Sequence, residues 1–152
     1  MSELIIVGVT GAPVASRAVD WAIARAAERR QRIELLSVVG GALGAVGEDA
    51  VLAEALEKTY ADVEAHAERV RQAGIEVSVR VEAGDPLAVL TAASGAASIL
   101  VIGSDYRGPG SGRARGAHGV RIAAAARCPV VVVPDIELGE RRGVVVGVDG
   151  SE

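Results

Sequence analysis

The chain has 152 residues, half of them hydrophobic, and a formal net charge of -4. This length and apolar content fit one globular domain with a sizeable core. One Trp, two Tyr and no Phe offer little for base stacking, and the acidic balance argues against a nucleic-acid partner. The single cysteine, Cys128, excludes an internal disulfide and a cysteine metal cluster.

The hydrophobic pattern indicates neither a signal peptide nor a membrane span. The N-terminal apolar run lacks a preceding basic segment and is shorter than a signal h-region. No uninterrupted apolar run approaches the roughly 20 residues of a spanning helix. The sequence therefore predicts a cytoplasmic protein without membrane contact.

Apolar segments along the chain are predicted to form the strands of one sheet. They are Leu4–Val9, Ile33–Val39, Ile75–Val81, Ile99–Ile102 and Pro129–Val133. Continuous apolar runs are typical of strands buried on both faces of a parallel sheet. The third segment instead alternates between apolar and polar residues, which predicts an edge strand with one solvated side.

Helical patterns separate these strands. They are Val14–Arg30, Glu48–Ala73, Pro86 to about Gly95 with Asp85 as its N-cap, and an Ala-rich segment before Cys128. Regular alternation of strands and helices predicts an α/β fold, with a parallel sheet and helices on both of its faces.

The end of the chain repeats its beginning. The segment Val144–Ser151 reads VVVGVDGS, and Ile5–Ala12 reads IIVGVTGA. We interpret this as an internal repeat. The sequence thus predicts a first domain over residues 1–135, a linker over 136–142, and the first strand of a truncated second repeat over 143–152. Without its own domain, this strand is expected to be disordered or to add to an exposed sheet edge.

Two loops are candidates for ligand binding. In an open parallel sheet, ligands bind at the carboxyl ends of the strands where the strand order reverses. The turn Thr10–Pro13 follows the first strand, and the Gly- and Arg-rich loop Gly103–Gly116 follows the fourth. Glycine-rich loops that lead into a helix N-terminus offer backbone N–H groups to anions. We therefore predict a nucleotide-phosphate site at this edge.

At these loops the sequence resembles the universal stress protein family, over residues 4–134. Members carry a V-D-G-S motif after the first strand and a G-x2-G-x9-G-[ST] motif after the fourth. Gly103 and Gly116 occupy the outer glycines of the second motif, and Cys128-Pro129-Val130 follows at the family's spacing. The resemblance implies a strand order of 3-2-1-4-5, homodimers through the fifth strand, and, in one subclass, bound ATP or AMP.

The predicted nucleotide-binding residues combine motif positions that the resemblance implies with basic residues of the loop and of the helix start, which could compensate for lost motif contacts. They are Val9, Thr10, Gly11, Val39, Gly103, Arg107, Arg113, Arg115, Gly116, Ala117 and His118. Mg²⁺ would accompany ATP, and no metal site made of protein ligands is expected. The three loop arginines would pair with phosphates, and His118 would add a donor at the helix start.

This domain departs from the ATP-binding pattern at Thr10, Tyr106 and Ala117. Thr10 replaces an Asp and loses its charge. Tyr106 replaces a Gly and restricts the approach of the loop backbone. Ala117 replaces a Ser or Thr and loses the hydroxyl. A hydrogen bond to a charged group is worth about 1.5–3 kcal/mol, so the substitutions weaken the predicted site. The repeat retains the motif as Asp149 and Ser151, which makes a second domain the better nucleotide-binding candidate.

Three functions remain open at this point. The first is a stress-response regulatory module with a modified ATP or AMP site. The second is a degenerate domain that binds no nucleotide and serves dimerisation or its tandem neighbour. The third is a slow ATPase. It is the least favoured, because no residue stands out as a general base or a metal ligand. His66 is interpreted as part of a solvated helix face and Cys128 as a packed small hydrophobe.

Overall fold

The structure is a computed structural model that describes residues 3–40, 48–104, 117–137, 143–148 and 150, with only the backbone of residues 48, 117 and 118. Five strands and four α-helices alternate in these ranges, and a short 3₁₀ helix, Ser94–Ala96, follows the third α-helix. The strands are β1 Leu4–Gly8, β2 Arg32–Val39, β3 Val77–Ala83, β4 Ile99–Ser104 and β5 Val130–Pro134. The helices are α1 Val14–Arg29, α2 Glu48–Gln72, α3 Pro86–Ala93 and α4 Ala117–Ala125.

The strands form one parallel sheet in the order β3-β2-β1-β4-β5. The predicted α/β class and strand order are confirmed. Residues of α1 and α2 pack with Ile5, Val7 and Leu35 on one face of the sheet. Residues of α3 and α4 pack with Ile6 and Leu100 on the other. The alternation of side chains along each strand thus fills two aliphatic layers.

The third strand starts later than predicted. Gly74 adopts a φ of 74° at the end of α2, and the Ile75 N–H donates to the Val70 carbonyl at 3.3 Å. Ile75 therefore closes the helix and packs in the core instead of opening β3. The prediction that Ile75 begins the strand was wrong, because a buried residue after the helix continues the same alternating pattern.

The edge position predicted for this strand is confirmed. β3 pairs with β2 on one side only. Val77 and Val79 pack against the core. On the opposite face, Arg80 bridges Glu34 at 3.0 Å and Glu82 at 3.3 Å. Charged residues on an exposed edge discourage pairing with another chain.

Helix α3 begins at the predicted cap. The Ala88 N–H donates to Asp85 Oδ2 at 2.9 Å, and Pro86 occupies the first helical turn. Asp85→Ala is expected to lower the free energy of unfolding by about 1 kcal/mol, because a helix N–H loses its acceptor. Asp85→Asn is the matched control, since Asn caps about as well as Asp. Urea denaturation measures both; equal losses in the two variants would contradict the capping role.

The tail lies outside the sheet in its described part. Residues 143–148 form no strand, and Val144 and Val145 are 87% and 99% exposed. Gly147 has no atom within 4 Å of the position of an added Cβ, whereas the equivalent Gly8 is packed. Most of the predicted linker, together with Asp149 and Ser151, lies outside the described residues. The assignment of this segment to a second repeat stays a prediction.

Within the described ranges, no helix has both the length and the apolar character needed to cross a membrane.

Candidate functional site

The order in which the strands are added to the sheet reverses between β1 and β4. From β1 the chain moves to β2 and β3 on one side, and β4 and β5 lie on the other. A cavity of about 400 Å³ opens where these strands end. Its lining comes from the strand ends and from the first turns of α1, α3 and α4, and it comprises Gly8, Val9, Thr10, Ala12, Val14, Ala15, Leu36, Val38, Pro86, Leu87, Leu90, Ile102, Gly103, Ser104, Gly119 and Ile122. This is the place at which open parallel sheets bind ligands.

Most of this lining is aliphatic. Leu36, Leu90, Ile102 and Ile122 are buried members of the core layer beneath it. Within the described part of the chain, none of the lining residues is charged. Such a cavity suits a largely apolar, uncharged group such as a heterocyclic base, whereas phosphates require donors from outside this lining.

The turn after β1 is closed by Thr10. The Ala12 N–H donates to Thr10 Oγ1 at 3.3 Å, so the hydroxyl oxygen serves the turn itself. Thr10 and Ala12 both line the cavity, and Gly11 does not. The predicted residues Val9 and Thr10 are thus brought to the site, with Thr10 contributing a hydroxyl and a methyl group but no charge.

The end of β2 contributes Val38 to the cavity, whereas the predicted Val39 is absent from its lining. Successive side chains of a strand point to opposite faces, so only one of these neighbours can share the face of Leu36. The Val39 carbonyl accepts a hydrogen bond from the Gly84 N–H at 3.0 Å. In the structure Val39 therefore ties β2 to the end of β3, and Val38 is the residue that sequence reasoning missed.

Gly103 has a packing role that the sequence did not indicate. A Cβ at this position would lie 2.9 Å from Val14 Cγ1 and 3.3 Å from the Val14 carbonyl oxygen. The absence of a side chain lets the first turn of α1 settle directly on the end of β4. Gly103 lines the cavity as predicted. A glycine is needed at this position because α1 and β4, which both contribute to the cavity wall, are in contact here.

The predicted phosphate-binding part of the site is largely outside the described residues. The residues of this part that lie outside the described ranges are Tyr106, Arg107, Arg113, Arg115 and Gly116. Helix α4 begins at Ala117, so the backbone of Ala117 and His118 does open a helix as predicted. The roles assigned to these residues stay predictions.

A second cavity, of about 510 Å³, lies on the opposite face between the β1–α1 turn and α2. Polar groups of both helices line it, including Ser16, Asp62 and His66. Arg69 joins the helices here, because it pairs with Asp20 and donates to Ser16 Oγ at 2.9 Å. The two cavities share Val9, Thr10 and Ala12 as a wall.

The helix face that carries His66 is only partly solvated, because His66 lines this second cavity. His66 is half-buried, and an Arg69 N–H lies 3.4 Å from its Nδ1. Burial lowers the pKa of His66, and the neighbouring Arg69 charge lowers it further. The spacing of Asp62 and His66 places both on one face of α2, a signal that could have found this second cavity.

Metal-binding and thiol chemistry find little support in the described ranges. These contain no group of three or more His, Cys, Asp or Glu arranged to hold a metal ion. Cys128 packs against the layer formed by α3 and α4, which confirms its interpretation as a packed hydrophobe, and burial raises the pKa of its thiol.

The family model of the universal stress protein family matches residues 1–134. This match establishes that the chain belongs to the universal stress protein family. The cavity of about 400 Å³ at the reversal of the strand order is called the switch-point cavity below. Two curated universal stress proteins of Mycobacterium tuberculosis, MT3220 and Rv3134c, are each 30% identical over 136 residues, which is 87% of this chain and 48% of theirs. The chain spans about half the length of these relatives.

Solved structures share the fold at lower identity. UspA from Lactobacillus plantarum has a TM-score of 0.70 at 19% identity, over 86% of this chain and 97% of its own. A universal stress protein family protein from Arabidopsis thaliana, with AMP bound, has a TM-score of 0.62 at 20% identity, over 87% and 91%. The Archaeoglobus fulgidus protein in complex with dAMP has a TM-score of 0.61 at 17% identity, over 88% and 98%.

Proposed function

We propose that this domain binds an adenine nucleotide, ATP or AMP, at the carboxyl ends of β1 and β4 and acts as a stress-response regulatory module. The observation that carries the proposal is the cavity of about 400 Å³ at the point where the strand order reverses. The bound AMP and dAMP of the family members from Arabidopsis thaliana and Archaeoglobus fulgidus support the ligand class.

In this proposal the two parts of the nucleotide meet different surroundings. The base enters the aliphatic cavity between Leu36, Val38 and Leu90. The phosphates are bound by the start of α4 and by the arginines of the preceding loop, and Mg²⁺ accompanies ATP. Because Thr10 brings no charge, base binding relies on shape and apolar contact, and affinity depends more strongly on the loop.

Calorimetry with ATP and AMP tests the proposal. We expect saturable heat with a dissociation constant below about 1 mM, which corresponds to a binding free energy stronger than about 4 kcal/mol. Val38→Phe should abolish this heat, because the larger ring fills the cavity. The matched control Val39→Phe changes the neighbouring residue, which does not line it. Absence of heat at millimolar ATP and AMP would refute nucleotide binding, and unchanged heat with Val38→Phe would refute this location.

A degenerate domain that serves assembly is the second candidate. The uncharged lining of the cavity favours it, since the described part of that lining has no charged side chain to pair with phosphate. The partner would be a second copy docked along β5, an edge strand made of Val130–Pro134, in which Val132 is 42% exposed. Sedimentation of a Val132→Asp variant would separate an assembly function from nucleotide binding, because an assembly function requires the dimer and nucleotide binding does not.

The tandem arrangement is part of the same proposal. The repeat of β1 in residues 144–148 and the double length of the curated relatives support a second domain of this fold. We propose that such a domain carries the stronger nucleotide site, with Asp149 and Ser151 in its first turn.

A further inference from the structure

Two walls of the switch-point cavity come from distant parts of the chain and meet where Val14 lies against Gly103. One wall is the β1–α1 turn with the first turn of α1, which contributes Thr10 and Val14. The other is the end of β4, which contributes Gly103 and Ser104. The relative position of these walls is therefore set where α1 packs against the end of β4.

Asp135 connects these walls through its backbone and its side chain. It follows β5 directly, and its N–H donates to the Ser104 carbonyl at 3.1 Å. Its Oδ1 accepts a hydrogen bond from Arg17 Nε at 3.3 Å. Arg17 lies one helical turn after Val14, the residue that rests on Gly103. A short chain of contacts thus runs from one wall, through Arg17 and Asp135, to the other.

We propose that Arg17 and Asp135 are positioning residues of the cavity, whose ion pair holds the first turn of α1 at a fixed spacing from the ends of β4 and β5. Neither residue lines the cavity, so they act through the walls and not on the ligand. Since Asp135 also begins the segment that leaves the sheet, the same contact links the cavity to the path of the chain beyond β5.

The protein contains a matched control for this pair. Arg17 and Asp135 have side chains that are 40% and 19% exposed. Arg80 and Glu34 have the same two values at 3.0 Å, and Arg80 also pairs with Glu82 at 3.3 Å. The second pair lies on β3 and β2 and does not touch the cavity. Partly exposed ion pairs contribute little to global stability. Arg17→Gln and Arg80→Gln should therefore have similar free energies of unfolding, and only Arg17→Gln should change the cavity.

Two readouts test the proposal, the first of which rests on the proposed nucleotide binding. We expect Arg17→Gln and Asp135→Asn each to weaken binding of AMP or ATP by roughly fivefold or more, a size typical of coupling between sites. The double variant should be no weaker than the weaker single variant, and the exchanged pair Arg17→Asp with Asp135→Arg should regain affinity. Arg80→Gln should leave affinity unchanged. Equal effects of Arg17→Gln and Arg80→Gln would overturn the proposal.

The second readout needs no ligand. In the unliganded protein, hydrogen exchange at the N–H groups of Ala12 and Asp135 should be faster in Arg17→Gln than in the wild type, and unchanged in Arg80→Gln. Unchanged exchange at both groups in Arg17→Gln would overturn the proposal. If the wild type binds no nucleotide, the proposed function fails, and this exchange measurement alone decides the role of Arg17 and Asp135.

Discussion

Leu100→Ala is expected to lower the free energy of unfolding by about 2–5 kcal/mol. Leu100 lies in β4, between β1 and β5, and is fully buried. It packs in the layer that includes Ile6, Ile102 and Ile122, on the face covered by α3 and α4. Removing its branched end leaves a void that the surrounding strands cannot close, because each is held by neighbours in the sheet. A loss of this size is a large fraction of the stability of a small domain.

Leu87→Ala is the control for this prediction. It removes the same atoms from a residue that packs only partly against the same layer and already borders the open cavity. Its loss should be clearly smaller, because the removed atoms leave less new void and remain partly hydrated. Urea denaturation of both variants measures the difference. Equal losses would show that Leu100 is not a central element of this layer.

The architecture could be predicted because its central strands, β1 and β4, are mostly buried on both faces. Leu4–Gly8 is apolar throughout, as is Ile99–Ser104 up to its terminal serine. In a chain of alternating strands and helices, such runs are best explained as strands of a parallel sheet. The order of the strands does not follow from alternation and came from the family resemblance. The boundary at Ile75 was missed because a residue that caps a helix and packs in the core looks the same in sequence as the start of a strand.

The position of the cavity was predicted, but not every residue of its lining. The turn at Thr10 and the end of β4 were expected at one cavity, and they line it. The choice between Val38 and Val39 could not be made, because in an entirely apolar strand end a shift of one residue exchanges the two faces without changing the pattern. The contacts of Arg17 with Asp135 and of Arg69 with Ser16 depend on how helices rotate against their neighbours, which local sequence does not specify.

Gly103 illustrates how a residue predicted for a binding site can have a packing role. It was predicted as an outer glycine of a phosphate loop. The structure places it beneath Val14, at a distance that leaves no space for a Cβ. The same glycine can serve both purposes, since close packing of α1 on β4 is what brings the two walls of the cavity together. Fold and site therefore impose the same requirement at this position.

Gly103→Ala is consequently expected to destabilise the protein by about 1–3 kcal/mol, the usual range for overpacking. The new Cβ would lie 2.9 Å from the stiff, branched side chain of Val14, so α1 must move. Gly119→Ala is the matched control at the same cavity. Its Cβ would lie 3.7 Å from Val132, an ordinary contact, and alanine favours a helix over glycine by up to about 1 kcal/mol. The two substitutions should shift the urea midpoint in opposite directions; a midpoint unchanged by Gly103→Ala would show that α1 does not rest on β4 through this glycine.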